Sequence, residues 1–304
     1  MTATLDQPVK APTFQRLSLR RKISNNVATV LVSLSVAIAM VPLVWVLYTV
    51  IVKGFGAVTS STWWFNSQAG MTAFQAGGGA YHAIIGTLLQ GLVCAIISIP
   101  IGVFVGIYLV EYGGGTRLGR VTTFMVDILT GVPSIVAALF IYALWVATLG
   151  FQRSGFAVSL ALVLLMIPVI VRSTEEMLRI VPMDLREASY ALGVPKWRTI
   201  SAIVIPTALS GIVTGILLAL ARVMGETAPL LILVGYAQAI NFDMFNGFMG
   251  SLPGMMYDQT SAGAGANPVP TDRLWGAAFT LIVLIALLNV GARFIAKFFA
   301  PKKI

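Results

Sequence analysis

The sequence has 304 residues, of which 58% are hydrophobic and only 10% are charged. Soluble domains average about 45–50% apolar and about 25% charged residues, so this composition excludes an ordinary globular enzyme, a disordered chain and a soluble nucleic-acid binder. The net charge of +9 must therefore be explained within the class of polytopic membrane proteins, which contact lipid rather than nucleic acid.

Six apolar runs are long enough to cross a membrane, which takes about 20 residues of helix. In chain order they are Val27–Val52, Ala83–Val110, Val121–Thr148, Gly155–Val171, Ala202–Met224 and Leu274–Ala296. Gly131 and Pro133 interrupt the third run, so residues 117–130 are expected to lie partly at the interface, with the span itself starting near Pro133. Another run, Ala228–Ile240, is too short to cross and is expected to be buried or re-entrant. The sequence thus predicts an all-α polytopic membrane protein with six transmembrane helices.

Basic residues predict the orientation, because loops rich in Lys and Arg stay in the cytoplasm. With the N-terminus inside, sixteen of the twenty basic residues fall on the cytoplasmic side, and both chain ends are cytoplasmic. Residues 1–26 are predicted to form a cytoplasmic tail, and residues 27–300 a transmembrane domain with a charged cytoplasmic segment at 173–201. The first run is too long for a signal-peptide core of about 7–15 residues, so we expect it to be retained as a helix.

The two long outer segments are Gly54–His82 and Asn241–Asp272. Their glycine and proline content predicts irregular loops rather than a separate folded domain. The adjacent Trp63 and Trp64 are typical of the membrane interface.

The sequence lacks the signatures of an enzyme or a metal centre. It has no nucleotide-binding loop, because no lysine follows a glycine, and it has no zinc-protease or serine-hydrolase motif. One cysteine, Cys94, and one histidine, His82, exclude an intrachain disulfide and a histidine-rich metal site. We therefore expect this chain to catalyse no reaction and to bind no cofactor, so that any ATP hydrolysis, with its Mg²⁺, belongs to a partner chain.

Residues 173–201 are too charged to cross the membrane but show helical periodicity. Asp184 and Glu187 resemble a capping box. An apolar stripe at helical spacing follows, made of Leu185, Ala188, Ala191 and Leu192. Gly193 is placed to end this helix in a left-handed conformation, and Pro195 suits the first turn of the next helix. Such a helix either docks into a groove of a partner or lies on the lipid surface, and periodicity alone favours neither.

The same segment resembles the EAA motif of bacterial ABC-importer permeases, which reads E-A-A, three residues, G, nine residues, I-x-L-P. This sequence has Glu187-Ala188-Ser189, Gly193 and Ile203-Val204-Ile205-Pro206, and departs from the motif at Ser189 and Ile205. The resemblance implies the fold of a type I ABC-importer permease. It also implies a pair of coupling helices that seat in a separate ATPase subunit, which favours docking over lipid contact. The motif residues expected to take part are Glu187, Ala188, Ser189, Gly193 and Pro206.

Three other stretches resemble the phosphate-importer permeases of this superfamily: Gly77–Leu88, Thr130–Ser134 and Arg222–Pro229. The resemblance covers roughly residues 20–300. With the length and the single short N-terminal tail, it favours one of the two sister permeases of such importers. It implies a multi-pass protein of the bacterial inner or plasma membrane with inorganic phosphate as substrate. The implied partners are the sister permease, an ATPase dimer and an external phosphate-binding protein.

Two charged residues stand out near the end of the fifth run. Arg222 and Glu226 are four residues apart near its outer end, which predicts that they share one helix face. A charge at mid-bilayer costs about 2.5–3.5 kcal/mol, so such residues usually face a partner or a water-filled path. The alternative is an ion pair that neutralises itself. The resemblance implies a role in substrate passage, and the forked guanidinium of Arg222 suits an oxyanion.

Asp127 and Ser134 are further candidates for the substrate path. Ser134, with the free N–H groups of a helix that starts near Pro133, suits an anion. Asp127 is a candidate too, although pairing with a basic residue near the cytoplasmic face is favoured for it.

Two rival functions stay open at this point. A secondary anion transporter would use Asp127, Arg222 and Glu226, but it leaves the charged segment at 173–201 unexplained. An intramembrane hydrolase would need a nucleophile and a base, and no such pair is recognisable.

Overall fold

A computed structural model describes residues 18–299, and within that range the chain contains twelve α-helices and no β-strand. The predicted tail covers residues 1–26, and residues 1–17 of it lie outside the described residues. Three π-helical stretches continue or join helices: Tyr108–Tyr112 after α3, Tyr142–Thr148 after α5, and Ile200–Val204 between α8 and α9. The helices are α1 (Leu19–Val58), α2 (Ser61–Phe65), α3 (Tyr81–Ile107), α4 (Arg117–Thr130), α5 (Ser134–Ile141), α6 (Gly155–Ile180), α7 (Met183–Ala191), α8 (Lys196–Thr199), α9 (Ile205–Met224), α10 (Ala228–Leu233), α11 (Leu252–Ser261) and α12 (Pro268–Phe299).

The chain divides into two compact units, with the boundary between Thr49 and Val50 inside α1. In the first unit every residue from 18 to 48 is exposed, and most side chains from Val27 onward are apolar. A helix that is apolar on all sides is typical of a membrane span. The second unit contains the remaining helices and a buried core.

Helices α3 and α6 run parallel and form the centre of the second unit. A methyl group added at Gly102 would lie 2.6 Å from Cγ2 of Ile170, and one added at Gly106 would lie 2.8 Å from Cβ of Thr174. Both helices advance by four residues between these contacts, so they run in the same direction. The absence of a Cβ at both glycines lets the two helices approach closely.

Helix α9 runs antiparallel to α6. Gly211 lies against Met177, and Gly215 lies against Ser173, so four residues forward on α9 correspond to four residues back on α6. The absence of a Cβ at both glycines lets the two backbones approach closely.

Five helical segments are long and apolar enough to span a membrane, and the bent pair α4–α5 makes a sixth if it is counted as one span. The predicted run Val121–Thr148 is broken as expected, because α4 ends at Thr130 and α5 begins at Ser134 with a bend of 107° between them. Pro133 adopts an extended conformation and lacks an N–H group, so it cannot continue α4. The short run Ala228–Ile240 does not cross either, since α10 ends at Leu233 and buries Leu230 and Leu233.

The outer segments are more ordered than their composition predicted. They contain α2 and α11, and their apolar side chains form a buried cluster with Ala277 of α12. Trp63 belongs to this cluster, with 3% of its surface exposed, and its Nε1 donates to Oγ1 of Thr280 at 2.9 Å. The prediction that Trp63 anchors the chain at the membrane interface is therefore wrong, because its polar N–H finds a partner inside the protein.

Candidate substrate path and coupling surface

Helix α9 ends deep within the second unit and not at its outer side. Met224, its last residue, lies 3.5 Å from a methyl group placed at Gly91, ten residues after the start of α3 at Tyr81. Ten residues of helix span about 15 Å, which is about half of the hydrocarbon thickness of a membrane. The chain then continues outward through α10, and the carbonyl of Leu233 accepts a hydrogen bond from the N–H of Ser154 at the start of α6. The end of α9 is therefore a helix break at membrane depth.

Arg222 and Glu226 lie on the two sides of this break. Arg222 is in the last turn of α9, and its carbonyl accepts the N–H of Gly225, which closes the helix. Glu226 follows Gly225 and is not helical. The prediction that both residues share one helix face near the outer end is wrong, because the helix ends between them and does so at mid-depth.

Glu226 lines a small cleft together with polar side chains from other elements. These are Thr87 and Gln90 of α3 and Ser251, the N-cap of α11. The cleft holds about 10 Å³, the volume of one water position, so phosphate does not fit into it. Gln90 is 2% exposed, and its Nε2 has no hydrogen-bond partner within the described residues.

Arg222 is exposed on the surface of the second unit. Within the described part of the chain it forms no ion pair, with Glu226 or with any other acidic side chain. A guanidinium that faces hydrocarbon at mid-depth costs several kcal/mol, so Arg222 requires a covering surface or water that the described residues do not supply.

Asp127 belongs to a chain of ion pairs elsewhere in the second unit. Arg172 of α6 contacts the carboxylates of both Asp127 and Glu175, and Glu175 also accepts a bond from Nη2 of Arg179. Asp127 thus has the basic partner that the sequence favoured. From the contacts between α6 and α9, Arg172 is level with residue 216, so Arg222 lies six residues or about 9 Å further along α9.

Ser134 is the first residue of α5, as predicted, and is half-buried. Helix α5 packs against α10, the helix that follows the break. Arg222 and Glu226 therefore lie on either side of the same break, Ser134 lies on a neighbouring element, and Asp127 is separate.

Helix α7 presents an exposed face with apolar and acidic residues. Leu185 and Leu192 of the predicted stripe are 41% and 84% exposed, and Glu187 and Ala188 are exposed beside them. The predicted capping box is wrong: Pro182 is the N-cap, and Asp184 lies in the first turn without a capping hydrogen bond. With Pro182 as N-cap, the helix starts at Met183, one residue before Asp184.

The joint after α7 follows the predicted pattern in most respects. Gly193 has φ +75°, the left-handed conformation expected of it. Pro195 is the N-cap of α8 and not part of its first turn. Ser189 is buried, and its Oγ lies 2.8 Å from Oγ1 of Thr199. Pro206 lies in the first turn of α9, directly after a π-helical stretch, where its missing N–H is accommodated.

Arg186 could not be singled out from the sequence, where it counts only as one of the cytoplasmic basic residues. Its side chain is buried and forms an ion pair of 2.9 Å with Glu111 at the end of the π stretch after α3. One signal was present: Glu111 is an acidic residue at the cytoplasmic end of an apolar run, where basic residues prevail.

The outer segments are held together by a buried arginine. Arg273 of α12 is 4% exposed and donates to the carbonyls of Gln75 (2.7 Å) and Gly77 (3.0 Å). Burial raises the pKa of the nearby Asp258 carboxyl above its usual value, although a hydrogen bond from Gln259 and the charge of Arg273 act in the opposite direction.

Comparison with known sequences agrees with the motif at 187–206. Residues 98–304 match the family described as binding-protein-dependent transport system inner membrane component. The phosphate transport system permease protein PstA 1 of Mycobacterium tuberculosis (strain H37Rv) is 57% identical, with 96% of this chain and 94% of that protein covered. PstA of Mycobacterium leprae is 56% identical, with coverage of 99% and 97%, and PstA of Pasteurella multocida is 39% identical, with coverage of 93% and 96%.

Solved structures share the fold. The MetNI methionine ABC transporter in an inward-facing conformation matches with a TM-score of 0.58 at 22% identity, over 71% of this chain and 94% of that chain. A bacterial alginate ABC transporter, solved with its pentasaccharide-bound periplasmic protein, matches with a TM-score of 0.57 at 11% identity, over 92% of this chain and 96% of that chain. The predicted fold class, an ABC-importer permease, is confirmed. The chain belongs to the family of binding-protein-dependent transport system inner membrane components, in which the permeases named PstA are its relatives.

Proposed function

We propose that the chain is the PstA-type permease subunit of an ATP-driven importer of inorganic phosphate and forms half of its translocation path. The names of its relatives support the substrate. The main observation that supports a substrate path is Arg222, which is exposed at a helix break at mid-depth and forms no ion pair among the described residues. Backbone that is not helical is tolerated at membrane depth where it lines a cavity, and broken helices of this kind form substrate sites in transporters.

A sister permease, PstC-like, covers Arg222 and completes a water-filled path. Arg222 donates parallel hydrogen bonds to the phosphate oxygens, and the negative charge of Glu226 across the break keeps the binding weak enough for release. Ser134 is retained as a path residue because α5 packs against α10. Asp127 is assigned to structure, since its carboxylate is paired with Arg172.

The exposed face of α7 docks on a PstB-like ATPase dimer, which binds ATP and Mg²⁺, while this chain catalyses no reaction and binds no cofactor. Exposed leucines beside Glu187 and Ala188 suit a groove in another protein. A PstS-like phosphate-binding protein delivers phosphate to the outer segments.

A secondary anion transporter is less well supported. It would need Asp127 beside Arg222 and Glu226, but Asp127 is paired with Arg172, about 9 Å along the helix axis from Arg222. It would also give the exposed face of α7 no purpose.

Arg222→Gln tests the path. Uptake of radiolabelled phosphate by cells that depend on this importer is expected to fall by about 10- to 100-fold, the factor for one or two hydrogen bonds from a charged group. The complex with the ATPase should still copurify in mild detergent.

Arg120→Gln is the matched control, because Arg120 is an exposed arginine of α4, and uptake should stay at the wild-type rate. Normal uptake by Arg222→Gln would remove Arg222 from the path. Phosphate transport by the purified chain alone, without ATP, would overturn the importer itself.

A further inference from the structure

Arg186 joins three elements of the second unit. They meet at the end that is predicted to be cytoplasmic from the distribution of basic residues. Its Nη1 donates to the carbonyl of Val181 at 2.9 Å, and its Nη2 donates to the carbonyl of Leu178 at 3.0 Å and to Oε1 of Glu111 at 2.9 Å. Leu178 lies in the last turn of α6, and Val181 is the C-cap of α6. Glu111 lies in the π-helical stretch that continues α3. Arg186 itself is in the middle of α7.

This contact depends on the shape of the arginine side chain. The side chains of Arg186 and Glu111 are only 9% and 5% exposed, so each charge depends on the other for compensation. A planar guanidinium can reach two carbonyls and a carboxylate at once, whereas a lysine ammonium is a single point charge. The carbonyls of Leu178 and Val181 at the end of α6 thereby receive donors that the helix itself cannot provide.

A second cation attaches the next helix to the same place. Lys196, the first residue of α8, donates to the carbonyl of Glu111, and its ammonium lies 4.7 Å from the ring centroid of Tyr112. Helices α7 and α8 are therefore both fixed to the end of α3. Helix α3 is in turn packed tightly on α6 at Gly102 and Gly106.

We propose that Arg186 is a positioning residue that makes α7, α3 and α6 move as one body, so that a displacement of α7 reaches the membrane spans. The proposal rests on the proposed function, because α7 must be the surface on which the ATPase acts. Arg186 faces inward, whereas Glu187 and Leu185 face outward, so docking and transmission use different sides of the same helix. Without Arg186, α7 keeps its docking face, but its displacement is absorbed at the short connections Val181–Pro182 and Gly193.

The test uses the full importer, with sister permease, ATPase and binding protein, reconstituted in lipid vesicles. ATP hydrolysis and uptake of inorganic phosphate are measured on the same sample. Arg186→Met is expected to assemble and hydrolyse ATP, while phosphate imported per ATP falls about tenfold, within the usual range of coupling between sites. Arg186→Lys, which keeps the charge but not the fork, is expected to show most of the same loss.

Arg179→Met is the matched control. Arg179 is also a cation at the end of α6 that pairs with a buried glutamate, but its side chain is 67% exposed and contacts neither α7 nor α3 in the described ion pairs. This variant should keep the wild-type ratio of uptake to hydrolysis. A wild-type ratio in an assembled Arg186→Met complex overturns the proposal.

Glu111→Met provides a second route if Arg186→Met fails to assemble. It removes the carboxylate through which Arg186 reaches the end of α3, so a lowered ratio with intact ATPase binding supports the proposal and an unchanged ratio overturns it. Failure of the wild-type chain to copurify with the ATPase is a different result. It overturns the proposed function and this proposal with it.

Discussion

Gly86 has no room for a side chain where α3 meets the segment before α11. A methyl group there would collide with the carbonyl of Gly250, a backbone atom that cannot rotate away. Five residues further along the same helix, a methyl group at Gly91 would lie in ordinary contact with Met224, at 3.5 Å. The two glycines look equivalent in the sequence, but only Gly86 is required by the packing.

Gly86→Ala is expected to destabilise the folded chain by about 1–3 kcal/mol, because the backbone of the outer segment must shift. Gly91→Ala serves as its control and is expected to be neutral or to stabilise by up to about 1 kcal/mol, the usual gain of alanine over glycine in a helix. Thermal unfolding of the purified chain in detergent measures both. Equal stability of the two variants would contradict the close contact at Gly86.

At the scale of single residues, close contacts at glycines can be inferred from the sequence more readily than buried ion pairs. A glycine in a membrane span indicates that another helix approaches closely, because it has no side chain, and this can be inferred without knowing which helix is the neighbour. The pair Arg186–Glu111 joins residues 75 positions apart, and nothing local to either residue reveals the other. The amide nitrogen of Gln90, which has no partner among the described residues, was missed for the same reason.

At the scale of elements, the joint between α7 and α8 is closed by a pair of hydroxyls. Ser189 and Thr199 are both buried and bond to each other across Gly193. Position 189 is where this sequence departs from the alanine of the EAA motif. The departure is explained by Thr199, whose hydroxyl would otherwise keep only a long contact of 3.4 Å with the carbonyl of Pro195.

Ser189→Ala is expected to cost about 1–2 kcal/mol of folding stability, since Thr199 loses its hydrogen-bond partner in a buried position. The double variant Ser189→Ala with Thr199→Val removes both hydroxyls and should cost less than the sum of the two single changes. A double-mutant cycle by thermal unfolding in detergent gives the interaction energy. Strict additivity would show that the two hydroxyls do not interact.

Helix ends were predictable where glycine or proline acts locally, as at Gly131–Pro133 and Gly193. The apolar run ends at Met224, the last residue of α9, but the predicted helix continued to Glu226 and lay nearer the outer side than the contact of Met224 with Gly91 indicates. Hydropathy measures the length of an apolar run and not the level at which a helix stops, and here α10 supplies the remaining thickness. The depth of Arg222 therefore emerged only from the contacts between Met224 and Gly91.

At the scale of the whole molecule, the distribution of basic residues predicts six crossings with both ends in the cytoplasm. The only cysteine, Cys94, is fully buried, which leaves a background without a reactive surface thiol among the described residues. Phe74 in the first outer segment and Leu118 in α4 are each 63% exposed. These two positions lie on opposite sides of the membrane in the predicted topology.

Phe74→Cys is expected to react with a membrane-impermeant maleimide on intact cells, whereas Leu118→Cys should react only after the membrane is opened. The wild-type chain, with Cys94 alone, should remain unlabelled under both conditions. Labelling is read by the mass of the purified chain. Reaction of both cysteines from the same side would contradict the six-span topology.

The depth at which α9 ends also determines how much of the membrane potential an anion crosses before it reaches Arg222. A charge that crosses a membrane potential of 100 mV does about 2.3 kcal/mol of electrical work, and a bacterial cytoplasm is negative. For the proposed substrate, a phosphate dianion that reaches Arg222 from outside has crossed about half of the field, at about 2.3 kcal/mol per 100 mV, and the guanidinium offsets that work. In the inner half of the membrane the anion must cross the rest of the potential and also dissociate from Arg222. The free energy of the anion therefore rises mainly between Arg222 and the cytoplasm, the side on which α7 is proposed to dock on the ATPase.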